Sequence, residues 1–575
     1  MSVDFATCPS IPAMFLAQAA RLGEKPLLGA KHDGHWRYLS WRQTAETALT
    51  LAGGLVRLGV EPGDRVMLVS ENRPEWAIAD LAIMIAGGIT VPAYVTNTAS
   101  DHLHILENAQ ARIVIASTLA LAEKLMHAAA RASHPPTLIC LEPPNLAQAP
   151  SFAVLSWRQA LAMGDGTQAE MRTRAASLGR NDTACIIHTS GTGGAPRGVM
   201  LSHGALLADC LGADALLQDL YAGDELFLSF LPLSHSYEHT VGLIFPLSVG
   251  ATIAYAESLE QLAANMAEVR PTIMTAVPRL YESMRARILG ALHRQGGFKE
   301  KLFLAAIRLG SKRLNGEPLS FAERLSDLAL DRLVRAKVRA RFGGRLKALV
   351  SGGAPLALEV GMFFAALGVR ILQGYGQTEA GPAISCSPPA KVKLDTVGPP
   401  LKGISVRIAE DGEILVKGEV VMQGYWRDPV STGQSIDADG WLHTGDIGQI
   451  DEDGYIRITD RKRDIIVNSG GDNISPQRIE GLLTLQPEIA QAMVHGDKRP
   501  HLVALLVPAE EYTAADVGRA VERVNSSVST IEKIRRHAVT LEAFSTDNLM
   551  LTPTMKIRRH VIRQHYGEEL ERLYR

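Results

Sequence analysis

The sequence predicts an α/β fold: a large N-terminal domain of βαβ-type parallel sheets with a small antiparallel β subdomain, hinged to a small α+β C-terminal domain. Apolar strand candidates alternate with helix-length segments from Asp64 to about residue 373, the rhythm of parallel strands covered by helices. After about residue 395 that rhythm stops, and Asp-Gly turns join pairs of alternating strands. A charged stretch, Asp460-Arg461-Lys462-Arg463-Asp464, then opens a last section of a size typical of one small domain.

The first βαβ unit lies between Asp64 and Tyr94, where RVMLVS and ITVPAY are strands and Arg73-Pro74 opens the helix between them. Further strand candidates fall at 111–116, 136–141, 184–188, 225–230, 251–255, 271–275, 346–350 and 368–373. Ligands of such sheets sit beyond the carboxyl ends of the strands. SVRIAEDGEILVKG and IGQIDEDGYIRITD are hairpins, which places the β subdomain at about 395–460. AQAMVHG, HLVALLVP and a closing helix make up the last section, so the expected domains are 1–460 and 461–575. Between Tyr281 and Arg345 the pattern is helical and basic, with fifteen Lys or Arg against six Asp or Glu. It reads as a solvated helical insertion or, more sharply, as an amphipathic element that docks on anionic lipid or accepts an acidic cofactor tail.

A chain of 575 residues with 46% hydrophobic and 21% charged residues is too long for one ordinary core and is neither disordered nor collagen-like. The formal net charge of -2 gives no global reason to expect a nucleic acid partner. Cys8, Cys140, Cys185, Cys210 and Cys386 form no C-x-x-C pair, which disfavours a disulfide framework and a zinc site and suits a reducing compartment. The N-terminus reads as lacking an export signal. The longest apolar stretch, Leu81 to Val95, is broken by Gly87-Gly88 and Pro92 and falls short of the roughly 20 residues that span a bilayer. The expected location is the cytoplasm, with peripheral contact at the inner membrane surface as the alternative.

The strand ACIIH runs directly into Thr189-Ser190-Gly191-Thr192-Gly193-Gly194-Ala195-Pro196-Arg197-Gly198. Backbone N–H groups and hydroxyls in such a loop suit a polyphosphate, and Arg197 supplies the countercharge. It is not a Walker loop, because Val199 stands where Lys and then Ser or Thr are required, nor a dinucleotide fingerprint, because Pro196 replaces the third glycine. A generic flexible turn is the plain alternative. The segment TSGTGGAPRG resembles the TSGTTGxPKG phosphate loop of the adenylate-forming (AMP-binding) superfamily, which includes acyl-CoA synthetases, luciferases and peptide-synthetase adenylation domains. Four more matches follow in that family's order, so the resemblance runs from about Tyr38 to Lys556. Two positions depart from the pattern: Gly193 replaces a threonine, and Arg197, a planar fork, replaces a point-charge lysine.

The resemblance implies a role for each matching residue. In QGYGQTEAGP, Tyr375, flanked by Gly374 and Gly376, stacks on adenine, Thr378 bonds the α-phosphate, and Glu379 holds Mg²⁺ together with Thr189. Oxygen donors suit that hard ion. Gly352, Gly353 and Ala354 of VSGGAPL back the adenine, while Asp446 of HTGD and Arg461 of DRKRD meet the ribose hydroxyls. Lys556 in LTPTMKIRR is the adenylation lysine, a cation for the charge that develops in the transition state. Arg463 matches the pivot about which the C-terminal domain turns, after which Ser469-Gly470-Gly471-Asp472-Asn473 lines a thiol channel.

LPLSHSYEHTVG resembles the segment that long-chain acyl-CoA synthetases place beside the acyl carboxylate, with His235 at the matching position, and the basic insertion and LTPTMKIRR tail resemble the same subgroup. The implied reaction consumes a fatty acid, ATP and coenzyme A with Mg²⁺. The alternatives are a ligase that passes the adenylate to a carrier-protein arm and a nucleotide-binding relative that has lost turnover. A homodimer is expected by resemblance alone.

Overall fold

The computed structural model describes residues 4–144, 150–189, 196–221, 223–462, 464–470, 472–552 and 556–575, apart from the side chains of Gln295 and Asn473. Two eight-stranded sheets dominate the N-terminal section. One runs in the order Ser385–Cys386, Ile371–Tyr375, Ala348–Ser351, Ile273–Ala276, Leu226–Ser229, Thr252–Tyr255, Pro26–His32, His35–Ser40. The other runs Gly424–Tyr425, Arg197–Ser202, Thr183–Thr189, Ile89–Pro92, Arg65–Val69, Ile113–Ala116, Thr137–Cys140, Val154–Ser156. Their central strands are parallel and their antiparallel pairs lie at the edges, so the expected α/β architecture is what the chain adopts.

Several elements go beyond the sequence reading. Pro26–His32 and His35–Ser40 form a hairpin whose turn residues, Asp33 and Gly34, have φ of 49° and 78°, the geometry an Asp-Gly pair favours. The glycine-rich loop leads into a second strand, Arg197–Ser202, antiparallel to the first. The short strand Gly424–Tyr425 then pairs with Arg197–Ser202 and so ties a distant part of the chain to this loop. The two Asp-Gly hairpins form one antiparallel sheet, Ser405–Ile408, Glu413–Lys417, Leu442–Ile450 and Ile456–Arg461.

In the C-terminal section, Ile489–His495 and Leu502–Pro508 pair antiparallel, and Ile534–Val539 adds a parallel strand. Alternation along Leu502–Pro508 makes two cores. Leu502, Ala504 and Leu506 pack with Ile479 and Val521 on one face, while Val503, Leu505 and Val507 meet Ile562 and Leu570 of the closing helix on the other. Among the described residues no helix is long and apolar enough to cross a membrane.

The basic segment is helical, as expected: Pro278–Gln295, Gly297–Leu314, Phe321–Leu330 and Ala336–Arg341. It is not merely solvated, because Phe303, Leu309, Leu330 and Val334 join a core with Phe363 and Phe364. The buried Arg335 guanidinium donates to the carbonyls of Ala366 and Ala306 at 2.8 and 2.9 Å and to Asp327 Oδ1 at 2.6 Å.

Helix Pro74–Ile85 is buried along its length and carries one internal charge, Asp80. That carboxylate meets His239 Nε2 at 2.9 Å, and both side chains are fully buried. Burial opposes the charged imidazole, but Asp80 outweighs it and pushes His239 up to about 10. His239 lies in a wide helical turn, Glu238–Ile244, so the pair anchors the segment that follows His235. Removing one member of a buried pair leaves the other uncompensated. Asp80→Ala is therefore expected to lower stability at pH 7 by about 3–5 kcal/mol, measured by urea unfolding. Because a histidine raised on folding contributes its stability below its unfolded pKa and loses it through the folded one, that penalty is expected to shrink as pH rises through about 10.

Candidate active site

The site is assembled at the carboxyl ends of the central strands. Thr189 ends one strand and Arg197 begins the next, directly opposite it in the ladder, so both ends of the glycine-rich loop are fixed by pairing. Ser190, Gly191, Thr192 and Gly193 lie outside the described residues. Arg197 stacks on Tyr425, its Cζ 4.1 Å from the ring centroid. The Tyr425 hydroxyl donates to Glu379 Oε1 at 2.9 Å. Burial, and then the Glu379 charge, push this phenol up to about 12, so it stays a donor. One side chain thus joins the loop arginine to the carboxylate. Tyr425 was not singled out in the sequence, although its alignment beside Arg197 follows from the pairing of Gly424 with Met200 and Tyr425 with Val199.

Glu379 and Thr378 sit in a short turn after the strand Ile371–Tyr375. The Thr378 hydroxyl is 2.8 Å from Ser236 Oγ, which links this turn to the segment carrying His235. The same segment is held on its other side by Tyr237, whose hydroxyl donates to the Val350 carbonyl at 2.8 Å. The Tyr237 ring fills the space beside Gly352, where a Cβ would come within 3.0 Å of it. Gly353 follows with φ of 82°, and Ala354 continues the turn. Gly374 remains in the strand, whereas Gly376 abuts the Pro382 carbonyl so closely that a Cβ would lie 1.7 Å away. Packing is thus a sufficient reason for glycine at 376, while at 352 a Cβ would require the Tyr237 ring to give by a few tenths of an ångström.

His235 Nδ1 accepts from the Tyr237 backbone N–H at 3.1 Å, which leaves the proton of a neutral ring on Nε2. Burial, and then the nearby Lys556 charge, pull His235 down to about 4. At neutral pH it is a neutral donor.

Asp446 and Arg461 are ladder partners in the antiparallel sheet, with Nε of Arg461 3.2 Å from Oδ1 of Asp446. The other oxygen, Oδ2, accepts from the Tyr375 hydroxyl at 2.8 Å. Burial raises the Asp446 pKa, opposed by Arg461, the Tyr375 hydrogen bond and Lys556. The turn preceding Asp446 is fixed by Glu413, which accepts from the Gly445 N–H at 2.8 Å and from Lys462 Nζ at 3.0 Å. Glu413 was also missed in the sequence. Its only signal there was a polar residue at the start of an otherwise apolar strand.

Lys556 comes from the C-terminal section. Its own backbone closes a tight turn, with the Thr552 N–H donating to the Lys556 carbonyl at 2.8 Å. The Lys556 side chain is exposed to solvent. Burial among protein, then Arg461, lower its pKa to about 8, against the pull of Asp446 and Glu379. Asp446 is in direct contact with Arg461 and Tyr375, and the charges of Arg461, Asp446 and Glu379 all act on Lys556. The turn containing Gly470 does not join them: Ser469 N–H donates to the Arg499 carbonyl, and Asn468 Oδ1 accepts from the Gly470 and Asp472 N–H groups, within the C-terminal section. Gly471 and Arg463 lie outside the described residues.

Among the described residues no group of three or more His, Cys, Asp or Glu side chains forms a metal cage. The donors on offer are the Glu379 carboxylate and the Thr189 hydroxyl, a sparse oxygen set of the kind that Mg²⁺ completes with phosphate and water.

A pair of α/β sheets, an antiparallel subdomain and a C-terminal section that delivers a lysine over strand ends define a two-part adenylate-forming architecture. The chain belongs to the AMP-binding enzyme family: the model of the AMP-binding enzyme matches residues 15–426, and that of the AMP-binding enzyme C-terminal domain matches residues 463–575. It is 34% identical over 569 residues to the long-chain-fatty-acid–CoA ligase FadD15 of Mycobacterium tuberculosis, covering 94% of this chain and 93% of that one. It is 29% identical over 599 residues to human long-chain-fatty-acid–CoA ligase 1, covering 96% and 84%. Among solved structures it shares its fold with ATP-bound MatB from Rhodopseudomonas palustris, at a TM-score of 0.70 and 22% identity, covering 98% of this chain and all of that one. The adenylation domain of a carboxylate reductase from Mycobacterium chelonae gives a TM-score of 0.76 at 21% identity, covering 98% and 91%.

The placement of Lys556 is open to direct measurement. Acetic anhydride labelling followed by peptide mass spectrometry is expected to show Lys556 reacting with a midpoint near pH 8, below ordinary lysines. Glu379→Gln removes an anion that holds the proton, so the midpoint is expected to move lower.

Proposed function

We propose that this chain is an ATP- and Mg²⁺-dependent fatty acyl-CoA synthetase built from an N-terminal unit, 1–460, and a mobile C-terminal unit, 461–575. The observation that carries this reading is that Asp446, held by Arg461 and Tyr375, and Glu379, held by Tyr425, both act electrostatically on Lys556 of the C-terminal section. Likeness over nearly the whole chain to ligases named for long-chain fatty acids supports the substrate class.

In the first half-reaction a carboxylate oxygen of the fatty acid attacks the α-phosphorus of ATP, the bond to the bridging oxygen breaks, and pyrophosphate leaves. Two anions must approach, so charge screening and in-line alignment set the rate. Lys556 supplies a cation for the developing charge, and partial desolvation strengthens its effect. Thr189, Ser190, Gly191, Thr192, Gly193 and Arg197 hold the phosphates, and Thr378 the α-phosphate. Glu379 and Thr189 hold Mg²⁺, which when bound screens the phosphate oxygens. Asp446 has lone pairs beyond those used by Tyr375 and Arg461, and these accept from the ribose hydroxyls. Tyr375, Gly352, Gly353, Ala354, Gly374 and Gly376 shape the adenine pocket. His235 donates through Nε2 to the acyl carboxylate without adding charge next to Lys556.

In the second half-reaction the CoA thiolate attacks the acyl carbonyl carbon, the bond to the AMP oxygen breaks, and AMP leaves. Lys556 must first withdraw. Rotation about Arg463 brings the turn with Gly470 and Gly471 to the site, where small residues admit a slender pantetheine arm.

The reading is tested by pyrophosphate release with a panel of fatty acids, followed by thioester formation with CoA or with a holo carrier protein. Release with fatty acids and transfer to CoA supports it. Transfer to the carrier alone favours the acyl-AMP ligase alternative, and no release with any acid overturns both. Lys556→Ala is expected to cut adenylate formation by about a hundred-fold or more while sparing conversion of supplied acyl-adenylate to thioester. Equal loss of both steps would contradict its role. Tyr425→Phe keeps the ring under Arg197 but frees Glu379, and is expected to raise the half-saturating Mg²⁺ concentration about ten-fold, read from initial rates at saturating ATP.

A further inference from the structure

We infer that the outward face of helix Phe321–Leu330 is a docking surface for an anionic lipid bilayer. The helix starts firmly, with a capping box in which Ser320 Oγ accepts from the Glu323 N–H and the Glu323 carboxylate accepts from the Ser320 N–H. Its inward face buries Asp327 and Leu330. Its outward face is also apolar: Phe321, Leu325 and Leu328, spaced four and three apart on one stripe, are 79%, 55% and 63% exposed. A helix apolar on two faces has cover on only one here, and a contiguous exposed apolar stripe marks an interaction surface.

The charge around this stripe identifies the occupant. The acids on and just after this helix are paired locally: Glu323 binds Lys312 at 3.0 Å, Asp327 binds Arg335 at 2.6 Å, and Asp331 binds Arg339 at 3.0 Å. Several bases are left over. Among the described residues, Arg324 beside the stripe, Arg332 in line with it, and Lys299, Lys301, Lys337 and Arg341 form no ion pair. The segment from Tyr281 to Arg345 carries a surplus of nine positive charges, and these six cations are part of it. A second copy packed face to face would set this surplus against itself. A nucleic acid would answer the charges but leave the leucines in water. A bilayer with anionic headgroups answers both, with the stripe in the acyl boundary and the guanidinium groups at the phosphates.

The inference does not rest on the ligase reading, because its readout is partition and not turnover. The full chain is floated with vesicles of phosphatidylcholine alone and with vesicles of equal parts phosphatidylcholine and phosphatidylglycerol. Capture by the anionic vesicles, released by added salt, is the expected result. The combined change Phe321→Ser, Leu325→Ser and Leu328→Ser, and separately Arg324→Glu with Arg332→Glu, is each expected to lower partition about ten-fold or more. Both sets lie outside the active cleft, so thioester formation from dispersed fatty acid and the thermal midpoint should be retained. The charge variant touches no packed side chain and keeps the test valid if the apolar variant misfolds. Absence of capture by anionic vesicles, or capture unmoved by either variant, overturns the inference. So does a dimer, seen by sedimentation, that the serine variant dissolves while the parent stays off vesicles.

Discussion

A lysine ammonium set among two carboxylates and a guanidinium is the interaction around which the rest of this molecule is arranged. Lys556 reaches Glu379, Asp446 and Arg461 from a different section of the chain, so its position records how the two sections sit together. Desolvation and Arg461 weaken its hold on a proton, while the two acids restore it.

The supports of that cluster come from several elements. Asp446 is fixed by its ladder partner and by Tyr375, and the turn before it by Glu413. Glu379 is fixed by Tyr425, whose strand pairs with the one that begins at Arg197. The arginine in place of a lysine is accommodated by a flat aromatic partner, a contact that suits a planar guanidinium. Behind His235, the Asp80–His239 pair and the Ser236–Thr378 contact hold the segment to the buried helix on one side and to the turn carrying Thr378 and Glu379 on the other. The cluster is thus held by side chains contributed from several distant elements.

The basic insertion shows the same division of labour along single helices. One face carries Phe303, Leu309 and Leu330 into a core, and the other leaves leucines and unpaired bases toward solvent. Composition alone revealed the charge surplus. It did not reveal that Glu323, Asp327 and Asp331 are paired locally while Arg324 and Arg332 are left over.

Parallel strands had to be apolar throughout and hairpins had to alternate around Asp-Gly, so RVMLVS, ITVPAY and SVRIAEDGEILVKG announced their conformations locally, and a dense motif such as TSGTGGAPRG announced its family. Residues whose importance comes from contacts across hundreds of positions gave no such sign. Tyr425 is an ordinary aromatic until strand pairing sets it under Arg197, and Glu413 is one acid among many until the Gly445 N–H points at it. Gly376 looks like a ligand-binding glycine in the chain, yet the Pro382 carbonyl already excludes a Cβ there. Local pattern is written by backbone periodicity and is readable in a short window. Long-range neighbours are chosen by packing, and a window of sequence holds no record of what will be packed against it.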